Sequence, residues 1–118
     1  MKLYRREKYL SRMRAFFHAD DLIKVITGIR RCGKSSLMET IREELKESGV
    51  SERNIIYIDL DKRGYKSIKS AEQLDLLIES YAGISGMKYL FIDEIQNVKG
   101  FEEVINGFRM EGGYSIFI

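Results

Sequence analysis

The 118-residue sequence lacks proline and tryptophan and has one cysteine and one histidine. The single cysteine, Cys32, excludes an internal disulfide and suits a reducing compartment, so a cytoplasmic location is expected. With His18 as its only histidine, the chain has no histidine-rich metal centre. No apolar run approaches the roughly 20 residues of a membrane span, and no membrane partner is expected. The opening MKLYRREKYLSR is charged and has no apolar segment of the secretory kind. A net charge of +2 is too mild to imply nucleic acid. We have no physical account of the missing prolines. What remains, 44% hydrophobic and 32% charged residues, is the balance of one globular domain.

Helical and extended periodicities alternate along the chain. Tyr9, Leu10, Met13, Phe16 and Phe17 form one apolar stripe, predicting a leading helix over 5–17 with Lys8, Arg12 and Arg14 solvated. LIKVIT (22–27) is short and apolar, as a strand buried on both faces would be. Residues 35–48 read as a helix burying Leu37, Met38, Ile41 and Leu45. NIIYIDL (54–60) reads as a strand, and DKRGYKSIKS (61–70) as a loop. A helix over 71–82 carries Leu74, Leu77, Ile78 and Tyr81 in register. YLFIDE (89–94) is a strand, and Phe101, Val104, Ile105 and Phe108 mark another helix, ended by Gly112-Gly113. YSIFI (114–118) is a fourth strand. This alternation predicts an α/β fold with a parallel sheet covered on both faces.

GIRRCGKS (28–35) matches G-x-x-x-x-G-K-[ST] in full, between a strand and a helix. Glycines let several N–H groups converge on one point, and the helix expected after Gly33 adds its positive end. Gly28, Ile29, Arg30, Arg31, Cys32, Gly33, Lys34, Ser35 and Ser36 are therefore the expected phosphate-contacting set. Lys34 would reach the β- and γ-phosphates, and the Ser35 hydroxyl would ligate Mg²⁺. Of Arg30 and Arg31, one is expected to be solvated and one paired with an acid. Cys32 is at a helix start that lowers a thiol pKa, but a small filler is the better reading.

Hydrolysis needs acids beside the phosphates. YLFIDE delivers Asp93 to the carboxyl end of a strand, where ligands sit in open α/β sheets. Asp93 would hold the magnesium, and Glu94 would orient or deprotonate the attacking water. Adjacent acids on an extended strand face opposite ways, so both serve only if the strand ends there and turns. A rival, Asp61, begins DKRG, the D-x-x-G form of GTPases, but no guanine-reading N-K-x-D accompanies it. Asp59 is a further candidate for the site wall.

With GIRRCGKSS and YLFIDEIQNV, the chain resembles an AAA+ ATPase, in particular a prokaryotic group with "GIRR-x-GKS" and "DEIQ" motifs. The resemblance implies a P-loop NTPase three-layer α/β/α sandwich, with Walker A roles at Gly28, Gly33, Lys34 and Ser35 and Walker B roles at Asp93 and Glu94. It implies ATP and Mg²⁺ as cofactors. It places the YSIFI strand between LIKVIT and YLFIDE. In similar proteins a polar sensor residue, a fifth strand and a helical lid with catalytic arginines follow. Residues 1–118 are thus expected to be the N-terminal part of one ATPase domain, with a leading helix in 1–21 and a P-loop core in 22–118 that is truncated after the fourth strand. Such a piece should bind nucleotide with little turnover. Its LIKVIT edge would invite self-association.

The expected function is ATP binding, with hydrolysis in the full-length protein. A nucleotide-gated switch that hydrolyses poorly is the alternative. A small-molecule or nucleotide kinase ranks behind both, because no arginine-rich lid segment is evident. A nucleic-acid or protein partner of the whole protein stays open.

Overall fold

The structure is a computed structural model. It describes Lys8 and residues 10–26 and 31–118, with Arg31 and Cys32 described by their backbone alone. Tyr9 of the apolar stripe, residues 5–7 of the leading helix, and Thr27, Gly28, Ile29 and Arg30 lie outside the described residues.

The elements run β1 (Ile23–Lys24), α1 (Arg31–Glu47), β2 (Ile55–Asp59), α2 (Ala71–Glu79), β3 (Lys88–Asp93), α3 (Phe101–Glu111) and β4 (Tyr114–Phe117). All strand pairs are parallel, in the order β1-β4-β3-β2. β4 therefore sits between β1 and β3, the order implied by the family resemblance.

Two apolar layers follow from strand alternation. Ile56, Ile58, Leu90, Ile92 and Ile116 face Leu74 and Ile78 of α2 and Val104, Ile105 and Phe108 of α3. Tyr89, Phe91 and Phe117 face the other way, onto Leu37, Met38, Ile41 and Leu45 of α1 and Leu10, Met13 and Phe17 of the leading segment. The result is a three-layer α/β/α sandwich. Phe91 and Phe117 stack at 4.4 Å between ring centroids, and Phe17 meets Phe117 edge-on at 6.1 Å. Such pairs add ~0.5–1.5 kcal/mol each beyond burial. α2 starts on a capping box, Ser70 with Gln73, which satisfies first-turn N–H groups.

Four expectations are corrected. Phe16 is not core but 45% exposed. The leading helix tightens into a 3₁₀ turn at Arg14–Phe16, which turns about 120° per residue and takes Phe16 off the stripe while Phe17 stays buried. Arg14 is not merely solvated: Nε and Nη2 donate to the two carboxylate oxygens of Glu44 at 2.8 and 2.7 Å. This bidentate pair clips the leading segment to α1 and holds the Glu44 carboxyl below its ordinary range. α1 begins at Arg31, before Gly33 rather than after it.

β1 is the fourth. LIKVIT is not buried on both faces: Leu22 and Val25 are 46% and 51% exposed, while Lys24 is buried. The Lys24 ammonium donates to the Ala19 carbonyl and, at 2.8 Å, to Ser115 Oγ, which donates onward to the Phe17 carbonyl at 2.6 Å. This polar node fastens the leading segment to β1 and β4. Burial pulls Lys24 from 10.5 down to about 8, against the opposing pull of Asp20 and Asp21.

A stability signature follows. Between pH 8 and 10.5 the unfolded chain binds the Lys24 proton and the folded chain does not, so stability rises with pH across that window. Below pH 8 both states are protonated, and the folded state bears the full cost of the buried charge. Urea midpoints of the wild type should therefore rise relative to Lys24→Met between about pH 8 and about pH 10. A constant difference between the two proteins would show that Lys24 titrates normally.

Candidate functional site

Alternation along β3 positions the site. Tyr89 and Phe91 are buried against α1, so Asp93, two residues further on, emerges on the same face at the carboxyl end of the strand. The N-terminal part of α1 lies there. Ser35 Oγ donates to Asp93 Oδ2 at 2.5 Å, across 58 residues of sequence. The two motifs read independently from the sequence thus meet in one hydrogen bond. Lys34 and Ser36, on either side of Ser35, are half-buried.

Asp93 is 1% exposed. Its Oδ2 receives a second donor, the Tyr57 hydroxyl, at 3.2 Å. Its Oδ1 is buried without a hydrogen-bond partner among the described residues. An unpaired buried carboxylate oxygen is costly to keep. Burial, and then the charges of Asp93 and Asp59, push the Tyr57 phenol up to about 12. Tyr57 therefore keeps its proton and remains a donor throughout the physiological range.

Glu94 satisfies the condition on adjacent acids. β3 ends at Asp93, and Glu94 takes φ 60° and ψ 39°, the left-handed conformation, where it is the sole non-glycine residue among those described. A side chain there costs roughly 1–2 kcal/mol. A 3₁₀ turn, Ile95–Asn97, follows, and Gln96 Nε2 donates to Glu94 Oε1 at 2.5 Å.

The rival acid is engaged elsewhere. Asp61 is exposed, and its carboxylate accepts from Asn97 Nδ2 at 2.8 Å. Its backbone N–H donates to Asp59 Oδ1 at 3.0 Å. Asp59 is half-buried and lies beside Asp93 in register. The acid brought to Ser35 is Asp93.

Gly28, Ile29 and Arg30 lie outside the described residues, and Arg31 and Cys32 are described by their helical backbone alone. Among the described residues no three or more His, Cys, Asp or Glu side chains converge as a metal cage. Magnesium does not require one. It takes one or two protein oxygens and fills its other positions with water and phosphate. The Ser35 hydroxyl and the Asp93 carboxylate, with Oδ1 unclaimed, are donors of that kind.

The sequence reading missed Tyr57 and Gln96. The signal for Tyr57 was the alternation in IIYID, which puts Tyr57 on the same face as Asp59. No comparable periodic signal marks Gln96, which acts within a turn.

A family model described as "AAA domain" matches residues 20–118. An uncharacterized protein of Haemophilus influenzae is 37% identical over 114 residues, covering 96% of this chain and 28% of its own. An uncharacterized protein of Methanocaldococcus jannaschii is 32% identical, covering 81% of this chain and 20% of its own. A protein of Sulfurisphaera tokodaii named probable GTP 3',8-cyclase is 28% identical, covering 79% of this chain and 34% of its own. The chain thus spans a fifth to a third of the curated relatives it matches. No solved structure matches it. No helix among the described residues is long and apolar enough to cross a membrane.

Proposed function

The chain belongs to the AAA domain family, and from that premise we propose that it binds Mg·ATP and that the whole protein, in the cytoplasm, hydrolyses it. The observation that carries this reading is the Ser35–Asp93 hydrogen bond, which joins the phosphate-loop serine to a buried strand-end carboxylate. On this reading residues 1–118 are the N-terminal part of one ATPase domain, with a leading segment in 1–21 and the P-loop core in 22–118.

Ser35 and Asp93 would hold the magnesium, which when bound supplies positive charge against the phosphate oxygens. The backbone of residues 28–36 binds the phosphates, with first-turn N–H groups and the helix dipole favouring negative charge. Lys34 neutralises charge on the β- and γ-phosphates. Glu94 orients the water for in-line attack and takes its proton. In the structure Gln96 Nε2 donates to Glu94 Oε1, and that contact favours a second reading, a nucleotide-gated switch that hydrolyses poorly.

The reading extends to association. β1, only Ile23–Lys24, is an edge of the described sheet beside exposed Leu22 and Val25, and the extension is that this edge pairs with another chain. Light scattering at high concentration should show species above monomer mass. A monodisperse monomer contradicts the extension and leaves the nucleotide site untouched.

Calorimetry with Mg·ATP tests the main reading. Binding should be lost in Lys34→Ala. In the whole protein Glu94→Gln should bind ATP and lower phosphate release by about 10²–10⁴-fold, the usual worth of a general base. Unchanged binding by Lys34→Ala would overturn the reading. Glu94→Gln turnover equal to wild type would favour the switch.

A further inference from the structure

β2 brings a residue that neither motif contains against the candidate metal carboxylate. Tyr57 lies opposite Phe91 in the β2–β3 ladder and packs on the α1 side of the sheet. Its hydroxyl shares Asp93 Oδ2 with Ser35, at 3.2 and 2.5 Å respectively. Two donors engage the lone pairs of that oxygen. Oδ1 has no such partner among the described residues. The two oxygens are therefore unequal: among the described residues one has two donors and the other none. Tyr57 is itself braced, with the Arg42 guanidinium of α1 lying 3.9 Å from its ring centroid.

We propose that Tyr57 is a positioning residue for Asp93: its hydroxyl pins Oδ2 so that Oδ1 faces a divalent cation bound beside phosphate, and Arg42 fixes the ring. The inference rests on the reading of Ser35 and Asp93 as magnesium donors. A phenol suits the task. It orients a carboxylate without cancelling its charge, whereas a lysine or arginine in its place would compete with the cation. The arrangement also explains why a tyrosine stands among the three isoleucines of β2, half-buried, with its polar end at the carboxylate.

The test is a magnesium titration of ADP binding by calorimetry, with the wild type, Tyr57→Phe, Arg42→Gln and Lys34→Ala. Tyr57→Phe keeps the ring and its packing, and a thermal melt confirms the fold. The magnesium concentration for half-maximal binding should rise about tenfold in Tyr57→Phe, the usual cost of losing a residue that orients a metal ligand. Affinity for ADP in EDTA should not change. Arg42→Gln should shift the midpoint the same way by a smaller factor. An unchanged midpoint in Tyr57→Phe, or equal weakening with and without metal, overturns the proposal. If Lys34→Ala abolishes binding in that same series, the nucleotide reading survives the failure. If wild-type binding is absent or insensitive to Lys34→Ala, the nucleotide reading falls and takes the proposal with it.

Discussion

A carboxylate buried at the end of an apolar strand is the constraint on which the site depends. Asp93 is 1% exposed and follows five buried residues of β3. Taking a carboxylate out of water costs several kcal/mol unless hydrogen bonds or a cation replace the lost solvation. Ser35 and Tyr57 supply part of that replacement, both at one oxygen. Much of the surrounding architecture serves to bring those two donors there. α1 must pack on this face of the sheet, and β2 must pair with β3 in the register that sets Tyr57 beside Phe91.

Packing fixes that geometry more firmly than the polar contacts do. Leu37, Met38, Ile41 and Leu45 are each 0–1% exposed, so α1 has little freedom to rotate or slide. The Arg14–Glu44 pair and the Lys24–Ser115 node tie the leading segment to the same layer. Exposed ion pairs contribute ~0–1 kcal/mol, so Arg14–Glu44 sets orientation more than stability. The strained backbone sits where the chain must change direction, at Glu94. The left-handed Glu94 turns the chain directly after the buried Asp93.

Local pattern and long-range pairing divide what could be read in advance. The helix faces were legible because four buried positions of α1 repeat at helical spacing. The strand order came from resemblance to a family, since periodicity says nothing about which strands are neighbours. Asp93 was legible as a strand-end acid. Tyr57 was not, because its role depends on cross-strand register between segments 36 residues apart. Phe16 escaped because a 3₁₀ turn changes the angular step at the end of the stripe. Lys24 escaped because its partners, Ala19 and Ser115, come from the leading segment and the last strand.

If Ser35 and Asp93 together mark a metal–phosphate site, its location can be read directly. Nitrogen-15 spectra of the protein with Mn·ADP would show which amides the paramagnetic ion broadens. Broadening is expected to be strongest at Gly33, Lys34, Ser35, Ser36, Asp93 and Glu94 and to weaken toward Tyr89 and His18, which meet at the opposite end of β3. Broadening centred away from the N-terminal part of α1, with Ser35 and Asp93 unaffected, would rule that site out.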